Sequence, residues 1–129
     1  MRLPKLWWAL GAVMLAAVLV ICLVPLGLSP PIPFYNDKVM HLLTFVLLAV
    51  WFGGLQAGTV KQRLLLTALL LIFSVIIEIL QFFTTYRSAE FADFLADAGG
   101  VAVGLILLQL GFARWPVFIE THVFSLAPR

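Results

Sequence analysis

Asp37, Lys38 and His41, then Glu78 and Gln81, then Arg87, Asp93 and Asp97 form an ordered string of acids, bases and one amide in a chain that is otherwise nearly all hydrocarbon. Asp37 and His41 are four residues apart, as are Asp93 and Asp97, while Glu78 and Gln81 are three apart; each pair therefore shares one side of a helix. A histidine among carboxylates can take up and release a proton near neutral pH, which makes Glu78 and His41 the candidate general bases. Asp93 and Asp97 complete the catalytic candidates, as groups that would orient a partner or hold a cation. Lys38 and Arg87 offer positive charge to a phosphate, and with Asp37 and Gln81 they make up the candidate substrate-binding set.

Each of these residues also has a plainer role. Asn36 or Asp37 would cap a helix, and Asp93 would complement the positive end of another. Gln81 would support Glu78 or bond a neighbouring helix, and Glu90 would be a solvated loop charge. Glu78 is the hardest to explain away. It lies five residues before Phe83, roughly 7 Å short of the helix end at 1.5 Å per residue, where a bare carboxylate is costly in lipid. It has to be paired, protonated or reached by water, and Lys38, His41 and Arg87 are the expected partners. One histidine on this face argues for no metal; the ligand count leaves room only for a carboxylate-rich Mg²⁺ or Ca²⁺ ion, not for zinc. None of Ser29, Ser74, Ser88 and Ser125 sits in a Gly-x-Ser-x-Gly elbow, and there is no glycine-rich phosphate loop.

The elements that must position these groups follow from composition. Of 129 residues, 64% are hydrophobic and 11% are charged, against about a quarter charged in a soluble domain. Four apolar runs predict an all-α, polytopic four-helix membrane bundle in a single domain, with spans at about 6–28, 38–56, 63–84 and 91–113 and an interfacial tail at 114–129. The fourth run reaches spanning length only if it begins near Phe91, which draws Asp93 and Asp97 into its first turns. The first run is too long for a signal-peptide core and is read as retained, with the lone Cys22 inside it. Gly100 and Gly104 form a Gly-x-x-x-Gly ridge for close helix packing, within one chain or between two copies of a homo-oligomer.

Arg2, Lys5, Lys61, Arg63, Arg114 and Arg129 flank one side of the spans, and Lys38 and Arg87 the other, which predicts both termini in the cytoplasm. Trp7, Trp8 and Trp115 would mark the inner boundary; Phe34, Tyr35, Phe82, Phe83 and Tyr86 would mark the outer one. By parity the start of the second span, the end of the third and the start of the fourth meet at that outer boundary, so the polar string converges there. Two helix N-termini would point at it and favour an anion.

Asp37-Lys38-x-x-His41, Glu78-x-x-Gln81, Arg87 and Asp93-x-x-x-Asp97-x-x-Gly100-x-x-x-Gly104, in that order, resemble the VanZ-like family of small bacterial membrane proteins. The resemblance covers about 37–104. Asp97 stands where the family pattern usually has Asn. The resemblance implies a multi-pass protein of the bacterial inner membrane and the cell envelope, and one founding member is linked to resistance to the glycopeptide teicoplanin.

Three functions remain open from sequence. One is recognition, with or without chemical modification, of an anionic lipid or lipid-linked envelope precursor at the outer leaflet. The second is non-catalytic binding of such a precursor. The third is proton-coupled transport with Glu78 and His41 as the relay. The expected partners are the bilayer and that ligand, and a formal charge of +2 offers no case for nucleic acid.

Overall fold

A computed structural model of the chain describes residues 1–23, 37–84 and 90–125. The described residues are helical, without strands: α1 (Pro4–Leu23), α2 (Asp37–Gly54), α3 (Val60–Phe82), α4 (Phe91–Gln109), a 3₁₀ turn (Phe112–Arg114) and a short α5 (Trp115–His122). Among these residues, α1 to α4 are each long and apolar enough to cross a membrane. The starts of α2 and α4 and the ends of α1 and α3 share one end of the bundle. The connector 24–36, with Asn36, Phe34 and Tyr35, the loop 85–89, with Tyr86 and Arg87, and the terminal 126–129 lie outside the described residues.

Local chemistry explains the boundaries. α3 begins at Val60, earlier than the span read from hydropathy, because Thr59 and Gln62 form a reciprocal cap. The Thr59 hydroxyl accepts from the Gln62 amide at 3.2 Å, and the Gln62 side chain accepts from the Thr59 amide at 3.1 Å. Arg63 then donates to the Gly53 carbonyl at 2.7 Å, satisfying an orphan group at the end of α2. α4 stops where Gly111 takes φ +117°, a conformation that side chains disfavour.

The distribution of residues is that of a bundle in lipid. Leu, Ile, Val and Phe dominate the outer surface, while His41, Ser74, Gln81, Asp93, Asp97 and Glu120 are buried. Between helices already in lipid, hydrophobicity provides little drive, so close backbone approach and interhelical hydrogen bonds hold the bundle. The tightest seam joins α2 to α4. A Cβ on Gly100 would collide with the Leu42 carbonyl oxygen and come within 2.9 Å of Phe45 Cβ; one on Gly104 would lie 2.5 Å from Ala49 Cβ. The glycine ridge therefore packs within this chain, against α2. α1 is anchored near both ends: Gln81 donates to the Cys22 carbonyl at 3.0 Å, and Glu120 reaches the opposite end of α1.

The tail and Trp7 behave differently from a simple interfacial segment and a belt anchor. Trp7 is only 4% exposed, packed edge-on to Trp51 and Trp115 at ring separations of 6.0 and 5.2 Å. α5 turns Glu120 inward, and its carboxylate accepts from the backbone amides of Arg2 and Leu3 and from the Trp7 indole at 2.7 Å. A buried acid satisfying the exposed amides at a helix start is a reason for this tail to fold back. Trp8 stays on the surface.

Candidate functional site

At the end of the bundle where α2 and α4 begin, the period of each helix turns its polar residues onto one seam. Lys38 and His41 lie one turn apart on α2; Ser74, Glu78 and Gln81 lie on α3; Asp93 and Asp97 lead into Gly100 and Gly104 on α4. Because the glycines let α2 and α4 meet closely, residues 56 apart in sequence touch. His41 Nδ1 and Asp97 Oδ1 are 2.8 Å apart.

Asp97 is fully buried and accepts a second hydrogen bond, from Ser74 Oγ at 2.6 Å on α3. An ionised carboxylate only accepts, so this bond with an ionised Asp97 assigns the His41 proton to Nδ1. The other ring nitrogen, Nε2, then faces Asp93 Oδ2 at 3.7 Å and Asp37 Oδ2 at 3.8 Å, both beyond hydrogen-bond length. Asp93, also buried, uses its other oxygen to hold Lys38, which simultaneously pairs with Glu90 across the α2–α4 seam. Glu90 is thus an ion-paired residue at the start of α4, not only a solvated loop charge.

Glu78 is held differently from the pairing expected of it. Among the described residues no side-chain cation meets it. Its Oε2 accepts from the backbone amide of Glu90 at 3.0 Å, and its Oε1 is buried without a hydrogen-bond partner. Lys38, an expected partner, is drawn away by Asp93 and Glu90. Gln81 turns its amide nitrogen to Cys22 on α1, away from the histidine pair, and leaves its own buried oxygen unpaired. Arg87 lies outside the described residues.

Asp37, Lys38, His41, Glu78, Asp93 and Asp97 therefore belong to one cluster, with Gln81 at its α1 side. Ser74 is a member that hydropathy concealed. Its signal was positional: it lies four residues before Glu78, hence one turn deeper on the same face. Two overlapping sets, Asp37–His41–Asp93 and His41–Glu78–Asp97, bring three potential ligand atoms within 4.8 Å of one another. Within reach of a proton donor, the Asp97-oriented imidazole is equipped to act as a base; with a bound cation it is equipped to be a ligand.

Beside the cluster a lateral groove of 480 Å³ opens between α3 and α4. Val75, Ile79, Phe82, Phe91 and Phe94 form apolar walls, and Glu78 and Glu90 supply its polar lining. Glu78 thus belongs to both the groove and the histidine cluster.

The VanZ/LLP1 family model matches residues 7–113, which takes in α1 from Trp7 onward, α2 to α4 and the whole cluster. No curated protein and no solved structure matches the chain.

Proposed function

Because the chain belongs to the VanZ/LLP1 family, and its membrane bundle joins an apolar lateral groove to a buried polar cluster, we propose that it recognises an amphiphile of the bacterial cell envelope, a lipid or lipid-linked precursor. The carrying observation is the shared position of Glu78, which lines the groove and lies within ligand distance of His41 and Asp97. The apolar walls take the hydrocarbon chain, and the headgroup sits against Glu78, Asp93 and His41. Burial of most of a ligand's surface in an apolar cleft with few polar groups is the usual form of a small-molecule site.

The charge balance refines the anionic headgroup expected from sequence. Five of the six acids in the chain, Asp37, Glu78, Glu90, Asp93 and Asp97, meet at this end, and Lys38 is already engaged by three of them, Asp37, Glu90 and Asp93. A phosphate would be repelled by the carboxylates unless a cation intervened; hydroxyl and amine groups would be met directly. In this reading the protein lies in the inner membrane with both termini cytoplasmic and the cluster at the outer leaflet. Sequestering or presenting an envelope precursor there would alter susceptibility to a glycopeptide such as teicoplanin.

The test is to purify the chain from bacterial membranes in mild detergent and identify retained lipid by mass spectrometry. An envelope lipid enriched over its share of the membrane is expected, with occupancy reduced several-fold by Glu78→Gln. Phospholipids retained in bulk proportions, and unchanged by that substitution, would refute the reading. The orientation is checked separately: a reporter active only in the periplasm should stay silent when fused to the C-terminus.

A further inference from the structure

We infer that Asp37, His41 and Asp93 form a site for a divalent transition-metal ion of the zinc type, with Asp97 and Ser74 as the outer support that orients the histidine. The inference goes beyond the lipid reading and stands on separate observations.

The first is an unsatisfied histidine nitrogen. His41 is 9% exposed, and while Nδ1 is bonded to Asp97, Nε2 has no hydrogen-bond partner among the described residues. It is directed between two carboxylate oxygens, at 3.7 and 3.8 Å. Both separations exceed the roughly 2.7–3.2 Å of a direct hydrogen bond. Two donors sharing one ion at about 2.1 Å in tetrahedral geometry are instead separated by about 3.4–3.6 Å, close to the spacing found.

The second is the support around that nitrogen. Metal-bound histidines commonly donate their other N–H to a carboxylate, which fixes the tautomer and aims the lone pair. Asp97 does this for His41 and is itself fixed by Ser74 at 2.6 Å. Lys38 plays the corresponding part for Asp93 by occupying Oδ1, leaving Oδ2 toward His41. The third is charge. Five acids gather beside Lys38 and His41 among the described residues at this end, and a dication would offset the repulsion between them. Ligand count alone argued against zinc; the geometry alters that expectation, because a buried imidazole nitrogen aimed between two carboxylate oxygens is a set zinc accepts, and three protein ligands leave a fourth position for water or an oxygen of a headgroup.

The test uses the full chain without an affinity tag, in detergent, stripped by chelator and titrated with Zn²⁺ alone by calorimetry, with Co²⁺ as a spectroscopic probe. One Zn²⁺ per chain is expected, and Co²⁺ should give the visible absorption of a tetrahedral nitrogen-and-oxygen site. Affinity should fall at least 100-fold in His41→Gln, and by about 10–100-fold in Asp97→Asn, which alters only the outer support. The Co²⁺ spectrum of the unmodified chain keeps the test decisive if a variant fails to fold. Substoichiometric uptake, or binding indifferent to His41→Gln, overturns the inference. So does an affinity that falls with Glu78→Gln but not with Asp37→Asn or Asp93→Asn, which would assign the ion to the other set. Lipid retained in the same preparations is read independently, so failure of metal uptake with lipid still bound sinks this inference alone.

Discussion

At the scale of single residues, two buried acids organise opposite ends of the molecule by accepting more than one hydrogen bond each. Asp97 ties α2 to α3 through His41 and Ser74. Glu120 ties α5 to the start of α1 through Arg2, Leu3 and Trp7. Burial pushes the Glu120 carboxyl up, but the amides of Arg2 and Leu3 and the Trp7 indole outweigh it and hold the group below the usual carboxylate range. A carboxyl depressed in the folded state adds stability above its unfolded pKa, and that contribution disappears as pH falls through the folded value. Glu120→Gln should therefore lower the thermal midpoint in detergent at neutral pH, and the gap from the unmodified chain should close on acidification below the ordinary carboxylate range. A gap independent of pH would show that the charge of Glu120 is not what holds the tail. The types and spacing of the cluster residues were legible in sequence, but their partners were not. Lys38 could reach Glu78 or Asp93 equally well on a helical wheel, and only the closeness of α2 to α4 decides for Asp93. The roles of Ser74 and Glu120 were not legible because a lone serine in an apolar run and a lone acid in a short tail are individually unremarkable in sequence; each acquires meaning only from a distant partner.

At the scale of elements, the α2–α4 seam sets the site. The glycine spacing announced close packing, but not that the partner would be α2 of the same chain. Gly100 faces that seam and Gly99 does not: a Cβ at Gly99 would meet only Leu42 Cδ1 at 3.8 Å, an ordinary contact. Gly100→Ala should cost about 1–3 kcal/mol, because the obstacle is the backbone of α2 and cannot move aside cheaply. Gly99→Ala should be neutral or stabilising by up to about 1 kcal/mol, since alanine is the better helix former. Thermal unfolding of the two variants in the same detergent checks this, and equal effects would mean that α2 and α4 do not meet along this ridge. The four spans were legible from hydropathy because apolar length is a strong signal, while the start of α3 was set by the Thr59–Gln62 cap, which hydropathy does not register.

At the scale of the whole molecule, the bundle has one end closed by packed tryptophans and the Glu120 clasp, and another where buried charge meets a groove open to the surrounding lipid. Nothing in the linear sequence shows a groove, because its walls come from the end of α3 and the start of α4, and neighbouring apolar residues of both helices simply face lipid. A second apolar cavity of 430 Å³, lined in part by Leu69, Phe52 and Phe73, lacks the carboxylates of the first and serves as its internal control. The most direct measurement is photo-crosslinking in living cells from a benzophenone side chain placed at Ile79 or Phe94 in the groove, and at Leu69 in the control cavity, followed by mass spectrometry of the captured lipid. A distinct envelope lipid captured from positions 79 and 94, against bulk phospholipid from position 69, is the expected result. The same phospholipid mixture from all three positions would contradict a lipid-recognition site at this end of the bundle.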